Sequence, residues 1–134
     1  MESHLSYNVT QELDGKIALV TAHGVINLTT AVPVLNELWE DPRYNAAEFG
    51  IWDLADCGEL PTFDEISRIA RFVSKEKAGR GPSHVAWVYP KSNGKLLTKI
   101  FSGLEKLIDM RMGFFADIDS ARDWANKRFS DTVT

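Results

Sequence analysis

The densest run of chemically capable side chains is Asp53-Leu54-Ala55-Asp56-Cys57-Gly58-Glu59-Leu60-Pro61-Thr62. Asp53, Asp56 and Glu59 are oxygen donors of the kind a hard cation such as magnesium takes. No phosphate-cradling loop accompanies them, and Asp also serves turns and caps, so an acidic turn is the competing reading and no metal is assigned. Cys57 would need a nearby positive charge or a helix N-terminus to become a thiolate nucleophile. Its local neighbours carry the opposite sign, which predicts an unreactive thiol. It is also the one cysteine of the chain, so neither an intramolecular disulfide nor a cysteine-based zinc centre can form. Thr62 offers its hydroxyl where a helix should begin. Asp53, Asp56, Cys57 and Thr62 therefore make up a candidate binding loop.

Other enzyme signatures are missing. There is no Walker A loop, no Gly-x-Gly-x-x-Gly after a strand, no His-Glu-x-x-His and no Gly-x-Ser-x-Gly. His4, His23 and His84 have no ligand-spaced partners, and His23, beside Gly24, reads as a turn or rim residue. Gly79-Arg80-Gly81-Pro82 precedes a strand instead of opening a helix, so it reads as a plain turn with no helix N-terminus to offer phosphate. Ser92-Asn93-Gly94-Lys95 could hold an anion at a helix start or serve as a simple cap. The aromatics form a second candidate group. Trp52 and Trp87 fall in strands expected to be neighbours, and Tyr89, two residues on, shares a face with Trp87. They are either core packing or, if a singly wound sheet leaves one face less covered, an aromatic surface or pocket that would support a homodimer.

These residues need a scaffold, and the rest of the chain describes one. The 134 residues suit one domain with a real core. Hydrophobic residues at 44% and charged residues at 25% are ordinary globular values. A net charge of -4 gives no basic surplus for nucleic acid. No apolar run approaches the ~20 residues that cross a bilayer, and the first residues have no signal-peptide pattern. The expectation is a cytoplasmic protein with no cofactor, no nucleic-acid partner and no membrane insertion.

Tyr7–Leu13 and Lys16–His23 read as a hairpin around the two-residue turn Asp14-Gly15. A helix follows over Thr30–Asp41, with Pro33 placed in its first turn and Asp41-Pro42 as its stop. Phe49–Leu54 is a buried strand. Thr62 and Glu65 have capping-box spacing for a second helix carrying Ile66, Ile69, Ala70 and Val73, with Gly79 as a stop. Val85–Tyr89 is another strand. A third helix opens near Asn93, Met112–Ala116 is the last strand, and Asp119 caps a final helix with Ala121, Trp124 and Ala125. The order β-β-α-β-α-β-α-β-α predicts an α/β fold: one mostly parallel five-stranded sheet, an antiparallel N-terminal edge hairpin and four helices.

Several of these segments together resemble a known family. The hairpin ends in Val20-Thr21-Ala22-His23-Gly24, and Asp41-Pro42-Arg43 follows the first helix. A strand ends in Trp52-Asp53-Leu54, and Phe115-Ala116-Asp117 leads into Ser120-Ala121-Arg122-Asp123-Trp124. From about Tyr7 to Phe129 the chain resembles the SpoIIAA-like, STAS-related domains of bacteria. That resemblance implies a regulatory domain that works by protein–protein contact. In anti-sigma-factor antagonists it implies a switch in which an Asp-Ser-Ser-Gly-like motif is phosphorylated on Ser. The matching stretch here, Asp53 to Thr62, holds no such motif. The expected function is a non-catalytic regulatory or protein-binding module without the phosphorylation switch. The alternatives are a small-ligand or lipid carrier with an apolar pocket between sheet and helices, and a small enzyme using the acidic loop 53–59.

Overall fold

Apolar alternation makes the first half of the chain a hairpin. In the computed structural model, which describes residues 4–57, 62–76, 81–89 and 111–132, β1 (Leu5–Glu12) pairs antiparallel with β2 (Ile17–Gly24) from Leu5↔Gly24 to Glu12↔Ile17. The connection is four residues long and not the predicted two. Leu13, Asp14 and Gly15 are all left-handed, at φ 50, 54 and 86. The Gly15 N–H reaches the Glu12 carbonyl at 3.2 Å and the Lys16 N–H reaches Leu13 at 3.1 Å. Leu13 thus leaves the ladder, and its side chain is left exposed.

The densest apolar stretch, β2, lies inside the sheet, where both faces are covered. β3 (Phe49–Cys57), β4 (His84–Val88) and β5 (Arg111–Phe115) follow in parallel, giving the strand order β1-β2-β3-β4-β5. This is the predicted mixed sheet, with shifted boundaries. β4 stops at Val88, although the Tyr89 N–H still bonds to Phe115 O at 3.0 Å. β3 runs past the expected Leu54 to Cys57, so Asp56 and Cys57 join Asp53 in the strand and the candidate loop does not begin until after Cys57.

Helix α1 (Leu28–Glu40) begins earlier than expected because Asn27, not a residue near Thr30, is its cap. The Asn27 side chain accepts from Thr30 N at 2.9 Å, and the Thr30 hydroxyl accepts from Asn27 N at 2.9 Å. Pro33 therefore falls beyond the first turn. It has no N–H to offer the carbonyl of Thr29, a residue exposed to water. Asp41 then caps the short α2 (Pro42–Asn45), its side chain accepting from Arg43 N at 2.9 Å. Two longer helices follow, α3 (Phe63–Glu76) and α4 (Ile118–Thr132). The cap of α4 is Asp117, which accepts from Ser120 N at 2.7 Å, and Asp119 lies in its first turn. The helix expected near Asn93, the Ser92–Lys95 segment and the Gly79 stop lie outside the described residues.

The helices divide between the two faces of the sheet. On one, α1 and α3 bring Leu35, Leu38, Trp39, Ile66 and Val73 against Val20, Trp52 and Leu54. Trp39 of α1 stacks on Phe72 of α3 at 5.7 Å. On the other, α4 sets Ala121 and Ala125 over Ile17, Phe49, Ile51, Ala86 and Val88. The alternative of a singly wound sheet that leaves one face less covered is set aside by this placement of α4, and core packing, the competing reading, fits it. Two arginines fasten the margins. Arg122 of α4 grips Glu12 at the end of β1 with a two-pronged contact, 2.9 and 2.7 Å. Arg43 donates to the Val9 carbonyl of β1 at 3.0 Å while Asp41 holds it at 2.8 Å. Among the described residues, no helix is long and apolar enough to cross a membrane.

Candidate functional site

The carboxyl ends of β2 and β3 and the N-termini of α1 and α3 converge on one rim, the end of a parallel sheet where α/β folds place ligand sites. β3 reaches this rim through an irregularity. Its register with β2 shifts between Thr21 and His23, after which His23 lies opposite Asp56 and Gly24 opposite Cys57. A local bond accompanies the shift: the Asp53 side chain accepts from Ala55 N at 3.1 Å, in the manner by which Asp bends backbones elsewhere. His23 and Asp56 then meet at the surface, Nδ1 to Oδ2 at 3.1 Å.

Alternation along the strands sorts the rest. Thr21 and His23 continue the face of Ile17 and Leu19, as Asp53 continues that of Phe49 and Ile51. Past the cover of α4 this face turns polar. Gly24 closes β2 at φ +118, and a Cβ there would lie 2.1 Å from the His4 carbonyl. Only glycine fits that turn.

Cys57, at the end of β3, is 2% exposed. Burial first, and then Asp53 and Asp56, push its thiol above the usual range. The residues that would have to activate it hold it protonated, as the sequence predicts.

Thr62 stands one residue before α3. Its hydroxyl accepts from Glu65 N at 3.3 Å and its carbonyl from Ile66 N at 2.9 Å. The capping box expected there is only half made locally. The Glu65 carboxylate instead reaches across to α1 and accepts from Leu28 N at 2.8 Å. Helix α1 has no acidic residue in its own first turn, so Glu65 supplies the negative charge that its positive N-terminus favours. One side chain thereby joins the starts of two helices. Sequence reasoning identified Glu65 as a local partner of Thr62 and missed this role, because nothing local marks a contact across 37 residues.

The structure brings Asp53, Asp56, Cys57 and Thr62 to this rim, together with His23, Glu65 and Leu28. It sets the aromatic group elsewhere. Trp52 and Tyr89 are core residues, 6% and 7% exposed. Trp87, half-buried, lies against Trp52 with ring centres 5.4 Å apart. The Trp52 indole N–H points at the Tyr44 hydroxyl at 3.4 Å, with the two rings edge to face. These rings hold β3 and β4 to the helical layer. Among the described residues, no group of three or more His, Cys, Asp or Glu side chains could hold a metal ion.

The sequence matches no protein-family profile and no curated protein. Solved structures do share its fold. An anti-sigma factor antagonist from Mycobacterium paratuberculosis superposes with a TM-score of 0.52 at 16% identity, covering 89% of this chain and 92% of that one. An uncharacterised protein with a SpoIIAA-like fold from Shewanella loihica superposes with a TM-score of 0.56 at 13% identity, covering 92% and 95%. The fold of this chain is SpoIIAA-like, in agreement with the resemblance read from its sequence.

Proposed function

We propose that this protein is a non-catalytic regulatory module that binds another protein through the rim formed by His23, Asp56, Thr62 and Glu65. The observation that carries the reading is the Glu65–Leu28 bond, which makes the starts of α1 and α3 one connected surface instead of two separate helix ends. A protein seated on the rim meets both helices at once. The likeness to an anti-sigma factor antagonist supports a regulatory role of this kind, and a buried, protonated Cys57 argues against thiol chemistry there.

The module works without the phosphorylation switch. Thr62 is the one hydroxyl between Asp53 and Thr62, and it already accepts a helix N–H. A phosphate of about -1.5 to -2 charge there would meet Asp64, Glu65 and Asp56. The test is capture of partners by tagged protein in its own host, with intact-mass analysis of the purified chain. A partner retained by the natural protein and lost by His23→Glu and Asp56→Arg supports the reading. Capture indifferent to both changes overturns the rim, and a stoichiometric phosphate on Thr62 overturns the switchless mechanism.

A further inference from the structure

A second surface lies on the opposite side of α1. The Val25 N–H bonds to the His4 carbonyl at 2.9 Å, so His4 and Val25 form a hydrogen-bonded pair of the antiparallel ladder. The ladder alternates, and Leu5, Tyr7, Val9 and Gln11 must therefore direct their N–H and C=O groups away from β2. At Val9 the Arg43 guanidinium takes the carbonyl. Toward Leu5 and Tyr7, β1 has no strand neighbour among the described residues.

Beside this stretch of edge runs a groove of about 480 Å³ between β1 and α1, lined by Leu5, Tyr7, Thr30, Pro33, Val34 and Glu37 among others. Its charge is negative. Glu37 is exposed and holds the Tyr7 hydroxyl at 2.9 Å, and the next cation along the edge, Arg43, is matched by Asp41. Just outside the groove lies Val25, an apolar residue 44% exposed, whose N–H bonds to the lining residue His4 and whose carbonyl accepts from the hydroxyl of the lining residue Thr30 at 2.8 Å.

We propose that this groove receives an extended segment of a partner protein that pairs with β1 at Leu5–Tyr7 and carries a lysine or arginine to Glu37, with apolar side chains against Pro33 and Val25. The inference rests on the protein-binding reading above and names a second contact for it. Outward-facing edge amides select an extended backbone, and the carboxylate selects the sign of its charge.

The test uses the full chain labelled with nitrogen-15 and three capped decapeptides: alternating valine and lysine, the same peptide N-methylated at every residue, and alternating valine and glutamate. The lysine peptide shifts the Leu5 and Tyr7 amides. The N-methylated peptide binds at least about tenfold more weakly, since it has no N–H to offer the outward carbonyls of β1, and the glutamate peptide does not bind. Glu37→Gln weakens the lysine peptide by about two- to fivefold. Val25→Asp, at an exposed position, weakens it without lowering thermal stability. Equal binding of all three peptides, no shifts at millimolar peptide, or shifts confined to His23, Asp56 and Thr62 would overturn the proposal. So would identical shifts from butylamine alone, which would assign the groove to small cations. Loss of this surface would leave the rim variants of the capture experiment unaffected, so the two readings fail separately.

Discussion

Glu65 serves two helices at once, its amide taking the Thr62 hydroxyl and its carboxylate taking the Leu28 amide. The two interactions differ in strength. A charged acceptor makes the stronger bond, and the Thr62 contact is long. Glu65→Ala should therefore cost about 1–2 kcal/mol and Thr62→Ala no more than about 1 kcal/mol in urea unfolding. Only Glu65→Ala should speed exchange of the Leu28 amide. Two phenols carry a second prediction. Tyr7 is raised from its ordinary 10.0 to about 12, by burial first and then by the bond to Glu37. Tyr44, beneath the core, is pushed to about 12 by burial, partly offset by the Trp52 indole. In the unfolded chain both ionise near their ordinary value, so the stability they lend is complete below pH 10 and drains away as the pH rises towards 12. Stability measured across that range should fall. Tyr44→Phe should flatten the decline more than Tyr7→Phe, because water screens the half-buried Tyr7.

Between elements, the two arginine clasps do different work. Arg122 pins α4 to the end of β1, and with both partners partly exposed its coupling to Glu12 should measure about 0.5–1 kcal/mol in a double-mutant cycle. Arg43 shields an edge. Removing it bares the Val9 carbonyl in the middle of β1, and open strand edges template association. Arg43→Ala should lose little stability yet raise the rate of aggregation seen by light scattering. The order of strands and most helices could be read directly from apolar spacing, as in Ile66, Ala70 and Val73 of α3 or Ile17 to Val20 of β2. Boundaries failed where a polar side chain did an unusual job. Asn27 and Thr30 cap each other in a pattern with no acidic residue, so local spacing starts α1 too late. Ala55-Asp56-Cys57 has the composition of a loop, yet parallel pairing with β2 carries the strand beyond Leu54 to Cys57. Of the rim, the sequence indicated the acidic residues, the quiet thiol and the Thr62 cap. The His23–Asp56 pair and the reach of Glu65 depend on register and on tertiary approach, which local spacing does not encode. The side of the sheet taken by α4 is likewise a property of the assembled layers.

At the scale of the molecule, a single thiol reports on everything around it. Cys57 is the one cysteine, buried and held protonated, so a thiol reagent must wait for the β3 end to open. Labelling under native conditions should be far slower than in urea, and its rate should follow global unfolding across the variants above. A rate unaffected by Glu65→Ala would mean that the rim opens by itself. The strand order carries a further consequence. Each strand of the sheet lies beside the one before it in the chain, so a polypeptide leaving the ribosome can add every new strand to an edge already present, without threading or rearrangement. The helices that cover one face, α1 and α3, arrive during this growth. Among the described residues, the cover for the other face, α4, comes last. Until it docks, Ile17, Phe49, Ile51 and Val88 present an apolar sheet face to water or to any neighbouring nascent chain, and the closing of Arg122 onto Glu12 ends that interval. Among the described residues, the face under α4 is therefore the last part of the core to be sealed as the chain is made.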